Sequence, residues 1–289
     1  MEKLNDICSE AVSKKELASI DRDFAQDVTQ RVLSDNQVYQ EWKAKEFDDR
    51  SSERKQLVKM VRRELRDVYG VFFTNPLSPS ERQAIQDDPS DENLKDVMKR
   101  HLSTRERLPQ YPYLYDHMSS WFGSYSSILD IGCGYNPLSI PVFNQGKSVK
   151  IIDISGAELR FLESVLHRRG IRVSSDIIDV SNQENFSKMF KSGEISDESG
   201  SYDVAFCFKL FDSLETKNRG ITTTLLECLR DQTNKGIVVS FARRTVSGRN
   251  KIDADRDWFY DALESLDGFE RKDVETINET YHLIRWKNA

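Results

Sequence analysis

The run Ser127-Ile-Leu-Asp-Ile-Gly-Cys-Gly-Tyr-Asn-Pro137 constrains this chain more than any other segment. Three apolar residues (Ile128, Leu129, Ile131) surround Asp130; Gly132 and Gly134 follow, and then helix-like apolar sequence. A buried strand running into a glycine turn and a helix start is where a doubly wound α/β sheet holds its nucleotide. Glycine at 132 and 134 lets backbone approach a ligand where a Cβ would clash. The third glycine of the dinucleotide fingerprint is absent, and Pro137 stands three residues after Gly134. The acidic-x-Gly-x-Gly form without it points to S-adenosyl-L-methionine rather than NAD.

The neighbouring sequence strengthens this reading. Val149-Lys-Ile-Ile-Asp153 is a second strand whose acid lies 19 residues beyond Gly134, where a carboxylate meets ribose hydroxyls or caps a helix. A third strand, Val173 to Ile178, ends at Asp179, placed either to accept from an adenine amino group or to start a helix through Asp179-Val-Ser181. Tyr202 to Phe208 and Gly236 to Phe241 are the fourth and fifth strands, the fifth a continuous apolar run typical of a central parallel strand. Helical patterns cover Ala157 to Arg169, Glu184 to Phe190 and Thr222 to Leu229. Arg271 to Ile277 and Tyr281 to Trp286 flank the turn Asn278-Glu279 and read as an antiparallel hairpin at the sheet edge. Five α/β repeats closed by a hairpin describe a class I, Rossmann-like methyltransferase domain.

The first hundred residues differ. They lack Gly until Gly70 and Pro until Pro76, and Leu57, Val58, Val61, Leu65 and Val68 form one apolar helical face. Thr74 to Asn93, with three prolines and many Asp, Ser and Asn residues, reads as a loop, and a helix follows from about Asn93 to Leu102. The 289 residues therefore divide into a helical domain over 1–108 and a methyltransferase domain over 109–289. No run approaches the roughly 20 apolar residues of a membrane helix. Met1 to Glu10 is too polar for a secretory signal, so a cytoplasmic, monomeric protein is expected. Four scattered cysteines without a CxxC pair give no reason to expect a metal.

Charge is uneven in a chain whose net charge is −6. Arg50 to Arg66 carries seven basic residues against two acids. Arg54, Lys55, Lys59, Arg62, Arg63 and Arg66 read as an RNA-facing set on one helix, or as an ordinary solvated face. Arg243, Arg244, Arg249 and Lys251 follow the fifth strand with no acid from Phe241 through Ile252, at the edge where ligands gather. The acidic total disfavours indiscriminate nucleic-acid binding and suits one folded RNA shape met by local patches.

His101-Leu-Ser-Thr-Arg-Glu-Arg107, followed some twenty residues later by Ser126 to Leu138, resembles the aminoglycoside-resistance 16S rRNA (guanine-N7) methyltransferases. The resemblance continues through Asp153-Ile154, Phe208-Lys-Leu-Phe211, Ser240-Phe241 and Ser247-Gly-Arg249. It departs at Arg249 to Asp255, where those enzymes carry a Gly-Lys-Gly-Met-like run. It implies S-adenosyl-L-methionine as cofactor, S-adenosyl-L-homocysteine as product and 16S rRNA in the 30S subunit as partner. By this similarity Arg107 holds the cofactor carboxylate, with His101 orienting it, and Asp130, Gly132, Gly134 and Asn136 form the turn around the methionine moiety. Asp153 and Ile154 meet the ribose, Asp179 and Val180 the adenine, and Lys209 and Leu210 add contacts after the fourth strand.

Guanine N7 carries a free lone pair, so alignment and electrostatics suffice without a general base. No Asn-Pro-Pro-Tyr motif for exocyclic amines and no Pro-Cys nucleophile for pyrimidine carbon occurs. Lys209 is expected to approach the base or its phosphate, and Phe208 or Phe211 to stack on a flipped base. Two other functions fit the same sequence. One is a small-molecule methyltransferase whose front helices form a lid; the other is a catalytically silent protein that binds the cofactor and the ribosome.

Overall fold

The computed structural model describes residues 2–14, 17, 20, 22–34, 36–44, 50–66, 76–144, 148–183, 190, 201–244, 252 and 254–287. Helices α1 (Glu2–Ala11), α2 (Arg22–Ser34), α3 (Gln37–Ala44) and α4 (Ser52–Leu65) open the chain, and α4 packs against the other three. The side chain of Ser51 caps α4 by accepting from the Arg54 amide, and Leu57, Val58, Val61 and Leu65 are buried as their spacing predicts. Val68, the last residue of that predicted face, lies outside the described residues.

The stretch from Thr74 to Asn93 is not the expected loop. It contains α5 (Pro79–Asp87) and the start of α6 (Asp91–Met98). Pro79 sits in the first turn, where a missing N–H costs nothing, and Ser78 with Glu81 forms a reciprocal capping box. Ser90 caps α6. The Ser, Pro and acidic residues that look like loop composition are therefore two helix starts.

After α6 come α7 (Leu102–Arg107), a 3-10 turn (Leu108–Gln110) and α8 (Tyr111–Phe122). The strands are β1 (Ser127–Ile131), β2 (Ser148–Asp153), β3 (Arg172–Ile177), β4 (Tyr202–Phe208), β5 (Thr233–Ala242), β6 (Phe269–Glu275) and β7 (Glu279–Trp286). Between them lie α9 (Ile140–Phe143), α10 (Gly156–Arg168), α11 (Phe211–Lys217), α12 (Ile221–Gln232) and α13 (Asp257–Glu264). The predicted helix Glu184 to Phe190 falls outside the described residues except for Phe190, as do residues 191–200.

One seven-stranded sheet runs in the order β3-β2-β1-β4-β5-β7-β6. The first five strands are parallel, and β7 inserts antiparallel between β5 and β6. Alternate residues feed two cores. Ile128, Val149, Val204, Phe206 and Val238 join a cluster that extends through α8 and α6 into the front helices. Leu129, Ile131, Ile152, Ala205 and Val239 join a second cluster with α12 and α13, the period-two alternation of a sheet covered on both faces.

Elements from α5 onward lie against the sheet domain. Helix α5 packs on α10, and α6 packs on the 3-10 turn Asn136–Ser139. Arg82 of α5 pairs with Glu158 at 2.5 Å, and Arg169 pairs with Asp91 at 2.6 Å. Among the described residues no helix is long and apolar enough to cross a membrane, and no group of three or more His, Cys, Asp or Glu is arranged to hold a metal.

Candidate active site

The carboxyl ends of β1, β2 and β4 open into a cleft of about 1180 Å³, its open mouth included. At its base the glycine turn takes left-handed backbone, with φ of 63° at Gly132 and 48° at Gly134. A Cβ on Gly134 would stand 2.8 Å from Cε1 of His101, and one on Gly132 3.0 Å from Cδ1 of Leu210. The space left by the missing methyl groups is thus taken by two side chains of the protein, His101 and Leu210, which also line the cleft. The amide of Gly134 donates to Oδ2 of Asp153 at 2.9 Å, and the Ile154 amide donates to Oδ1 at 2.7 Å. Burial lifts the Asp153 carboxyl above its ordinary range, while these amides and that of Ser155 pull it back. Ile154, Leu159, Leu162, Ile178 and Val180 supply an apolar wall.

A buried polar network forms another part of the wall. Arg107 is 2% exposed, too deep for an uncompensated charge. Its Nε donates to Glu279 at 3.1 and 3.3 Å, its Nη1 to Asn136 Oδ1 at 3.1 Å, and its Nη2 to Ser103 Oγ at 2.6 Å. Burial works against its charge, but the Glu279 carboxylate keeps the guanidinium firmly protonated. Asn136 also accepts from the Tyr111 hydroxyl at 2.8 Å and donates to Asp130 Oδ2 at 2.6 Å. Asp130 is pushed up to about 7 by burial, against the opposing effects of the Asn136 bond and the Arg107 charge. His101 is pushed down to about 3 by burial and by the charges of Arg107 and Lys209, so it stays neutral.

The structure brings Arg107, His101, Asp130, Gly132, Gly134, Asp153, Ile154, Asp179, Val180, Phe208, Lys209 and Leu210 into one cleft wall. Asn136 stands behind it, holding Arg107. Phe211 departs from expectation: it is fully buried and packs on Phe259 at 5.9 Å between ring centroids, so no base can reach it. The helix that begins at Phe211 turns it into the core beneath the sheet. Phe208 remains at the wall, with the Arg107 guanidinium 4.5 Å from its ring centre. Lys209 adopts φ of 55°, and its ammonium is held by Glu106 at 2.6 Å and Glu279 at 3.3 Å. Asp179 accepts from the Ser181 amide at 2.9 Å, the helix-start geometry, and its other oxygen lies 3.7 Å from Arg31 of α2.

The basic set divides. Arg54 turns inward, 8% exposed, and ties α4 to α1 through Asp6 at 2.8 Å and through Glu10. Arg62 donates to the Ala11 and Glu10 carbonyls at 3.3 and 2.8 Å, capping the end of α1. Arg54 therefore lies on the flank of α4 that meets α1, whereas Arg62 is half-buried at the margin of the face that exposes Lys55, Lys59, Arg63 and Arg66. Arg243 pairs with Glu275 at 2.8 Å and donates to the Thr276 carbonyl at 2.9 Å, bracing the β6–β7 hairpin, while Arg244 is exposed. Arg249 and Lys251 lie outside the described residues.

Glu279 has no place in the sequence reading except as half of a turn. The structure instead makes it the first residue of β7, opposite Ala242. Because β7 runs against β5, its first residue arrives at the carboxyl edge of the parallel strands, where ligands bind. The missing signal was topological. An acid that opens an antiparallel last strand next to a ligand edge belongs among site candidates.

The strand order, with β7 alone reversed, and the glycine turn facing an acid at the end of β2 define a class I methyltransferase. A model of the ribosomal RNA methyltransferase (FmrO) family matches residues 45–279, and the chain belongs to that family. It is 27% identical over 288 residues to a 16S rRNA (guanine(1405)-N(7))-methyltransferase of Serratia marcescens, covering 98% of both chains. A protein of the same name from Proteus mirabilis is 27% identical over 215 residues, which span 68% of this chain and 71% of that one. The fold is similar to the crystal structure of the 16S rRNA methyltransferase RmtF in complex with S-adenosyl-L-homocysteine. That match has a TM-score of 0.71, 21% identity and 99% coverage of each chain.

Proposed function

We propose that this protein transfers a methyl group from S-adenosyl-L-methionine to N7 of a guanine in 16S rRNA of the 30S subunit, acting as a monomer in the cytoplasm. The nucleotide expected is guanine 1405, by the names of its relatives. One observation carries the reading: Arg107, fixed and buried, and the Asp153 carboxylate stand in the wall of the same cleft. A zwitterionic amino-acid tail needs a cation that keeps its charge when desolvated, and a ribose needs a carboxylate acceptor. The donor set fits both, and the apolar wall of Ile154, Ile178 and Val180 suits a purine ring.

Bound there, S-adenosyl-L-methionine supplies an electrophilic methyl group on a sulfonium. The residues of the chain hold and align. Arg107 meets the carboxylate, Asp153 the ribose, and Asp179 with Val180 the adenine edge. Phe208, 8% exposed and packed against Phe206 and the Arg107 guanidinium, backs the wall, and Lys209 offers a cation to the base or its phosphate. His101 stays neutral and buttresses the turn at Gly134. N7 attacks with its own lone pair, so no group here must take a proton in the transfer step. Lys55, Lys59, Arg63 and Arg66 form the phosphate-facing surface of a docking module made of α1 to α4, with Arg244, exposed after β5, as a further basic contact. We place the boundary of that module between α4 and α5, because α5 and α6 pack with the sheet domain and α7 is tied to it through Arg107.

The test is nucleoside mapping of 16S rRNA by mass spectrometry after incubating 30S subunits with the protein and S-adenosyl-L-methionine. The expected result is one new 7-methylguanosine, at position 1405. If the cofactor binds and none forms, the guanine-N7 reading is wrong and the catalytically silent or small-molecule reading replaces it.

A further inference from the structure

We infer that Glu279 is a positioning residue that sets the cofactor end and the target end of the cleft from a single carboxylate. The inference rests on the methyltransferase reading above and adds a residue to it. Glu279 does not line the cleft, whereas its partners Arg107 and Lys209 both do. Its side chain is 1% exposed, so everything it does in this region passes through those partners.

Four charged groups form a line: Arg107, Glu279, Lys209 and Glu106. Glu279 takes the Nε of Arg107 on both oxygens and lies 3.3 Å from the Lys209 ammonium. Ser240 closes a ring around the second contact. Its hydroxyl donates to Glu279 Oε2 at 2.7 Å and accepts from the backbone amide of Lys209 at 3.1 Å. The carbonyl of Ser240 accepts from the same amide at 2.9 Å. Lys209 is the one described non-glycine residue with left-handed backbone. That conformation costs free energy and persists only where the surroundings impose it. Ser240 and Glu279 impose it here, gripping both the amide and the ammonium of one residue.

The carboxylate is itself held. The Glu279 amide donates to Thr276 Oγ1 at 3.1 Å, its carbonyl accepts from the Thr276 amide at 2.8 Å, and Asn278 donates to the Glu106 carbonyl at 3.3 Å. The hairpin tip therefore clamps the end of α7, which carries Arg107, and places Glu279 between α7 and the end of β4. Burial alone would raise the Glu279 carboxyl, but Arg107, Lys209 and the Ser240 hydroxyl keep it below its ordinary value. It stays ionised, as a shared counter-ion must. A neutral group could hold either cation by geometry, but only an anion compensates both where water is excluded.

The experiment compares wild type with Glu279→Gln, Ser240→Ala, Lys209→Met and the double variant Glu279→Gln/Lys209→Met. Calorimetry with S-adenosyl-L-homocysteine reads the cofactor end, and single-turnover methyl transfer to 30S subunits reads the target end. Misalignment of contacting groups predicts losses of about tenfold or more at both ends for Glu279→Gln. Ser240→Ala, which leaves every buried charge paired, should slow transfer in the same direction while its melting temperature stays near wild type. Lys209→Met should slow transfer, and the double variant should transfer no more slowly than Glu279→Gln by more than about twofold. Glu279→Asp should recover part of the cofactor affinity. Folded Glu279→Gln with wild-type cofactor affinity, or multiplicative losses in the double variant, would overturn the inference. If Glu279→Gln fails to fold, an unaltered transfer rate in Ser240→Ala overturns it instead. Wild type that binds no S-adenosyl-L-homocysteine would defeat the methyltransferase reading itself, an outcome distinct from these.

Discussion

Replacing Asp130 by asparagine should make the protein more stable at neutral pH and have almost no effect in acid. Asp130 is 1% exposed and lies at the end of β1, with the Asn136 amide 2.6 Å from Oδ2. Burial lifts its carboxyl from 3.8 to about 7, although the Asn136 bond and the Arg107 charge act in the opposite direction. The folded-state value stands above the unfolded one, so the stability due to the uncharged carboxyl is complete below the unfolded value. It is lost as pH rises through the folded one. Each unit of difference is worth about 1.4 kcal/mol, so the roughly three units between 3.8 and about 7 correspond to about 4 kcal/mol. That is a large share of the roughly 5–15 kcal/mol that holds a domain together. The asparagine side chain would keep an oxygen for the Asn136 amide and carry no charge at any pH. Urea unfolding of both proteins at about pH 4.5, 6 and 8 gives the difference at each pH, and titrating groups that do not interact with Asp130 cancel. The stability of Asp130→Asn relative to wild type should climb by about 1.4 kcal/mol per pH unit and level off near pH 7. A difference that is flat across this range, or that falls as pH rises, would refute the assignment of a buried neutral carboxyl in acid.

Two further outcomes follow from the geometry. Gly134→Ala forces a Cβ to 2.8 Å from His101 on left-handed backbone, so cofactor binding should be lost and the melting temperature lowered. Adding His101→Ala should return part of both; equal melting of the single and double variants would show that the ring is not what the methyl group meets. Reversing charge with Lys55→Glu and Lys59→Glu should weaken 30S binding and reduce the log–log salt dependence by about two, with S-adenosyl-L-homocysteine affinity unchanged. An unaltered salt slope in filter binding would remove α4 from the RNA contact.

Local pattern carried most of the fold. The apolar runs of β1, β2, β4 and β5 and the glycine turn needed only nearest neighbours to be read, and the structure bears them out. The error at residues 74–93 came from composition: Ser78 with Pro79 and Glu81 forms a helix start, yet by count alone it resembles a loop. Arg54 shows the limit of counting charge on a helix, because which flank meets α1 is a tertiary fact. Phe211 shows the same limit for aromatics: it follows the strand end, yet the start of α11 rotates it beneath the sheet. The hub of the site was the least legible part. Arg107 and Glu279 are 172 positions apart, and no spacing rule connects them.

Inserting β7 between β5 and β6 ties the cleft to the antiparallel margin of the sheet. Arg107 has its carboxylate partner only while that margin is paired, because Glu279 is the first residue of β7. Opening there would leave a buried cation uncompensated at the point where the cofactor tail belongs. Fraying of two strands would thus disarm the protein while the five parallel ones stayed intact.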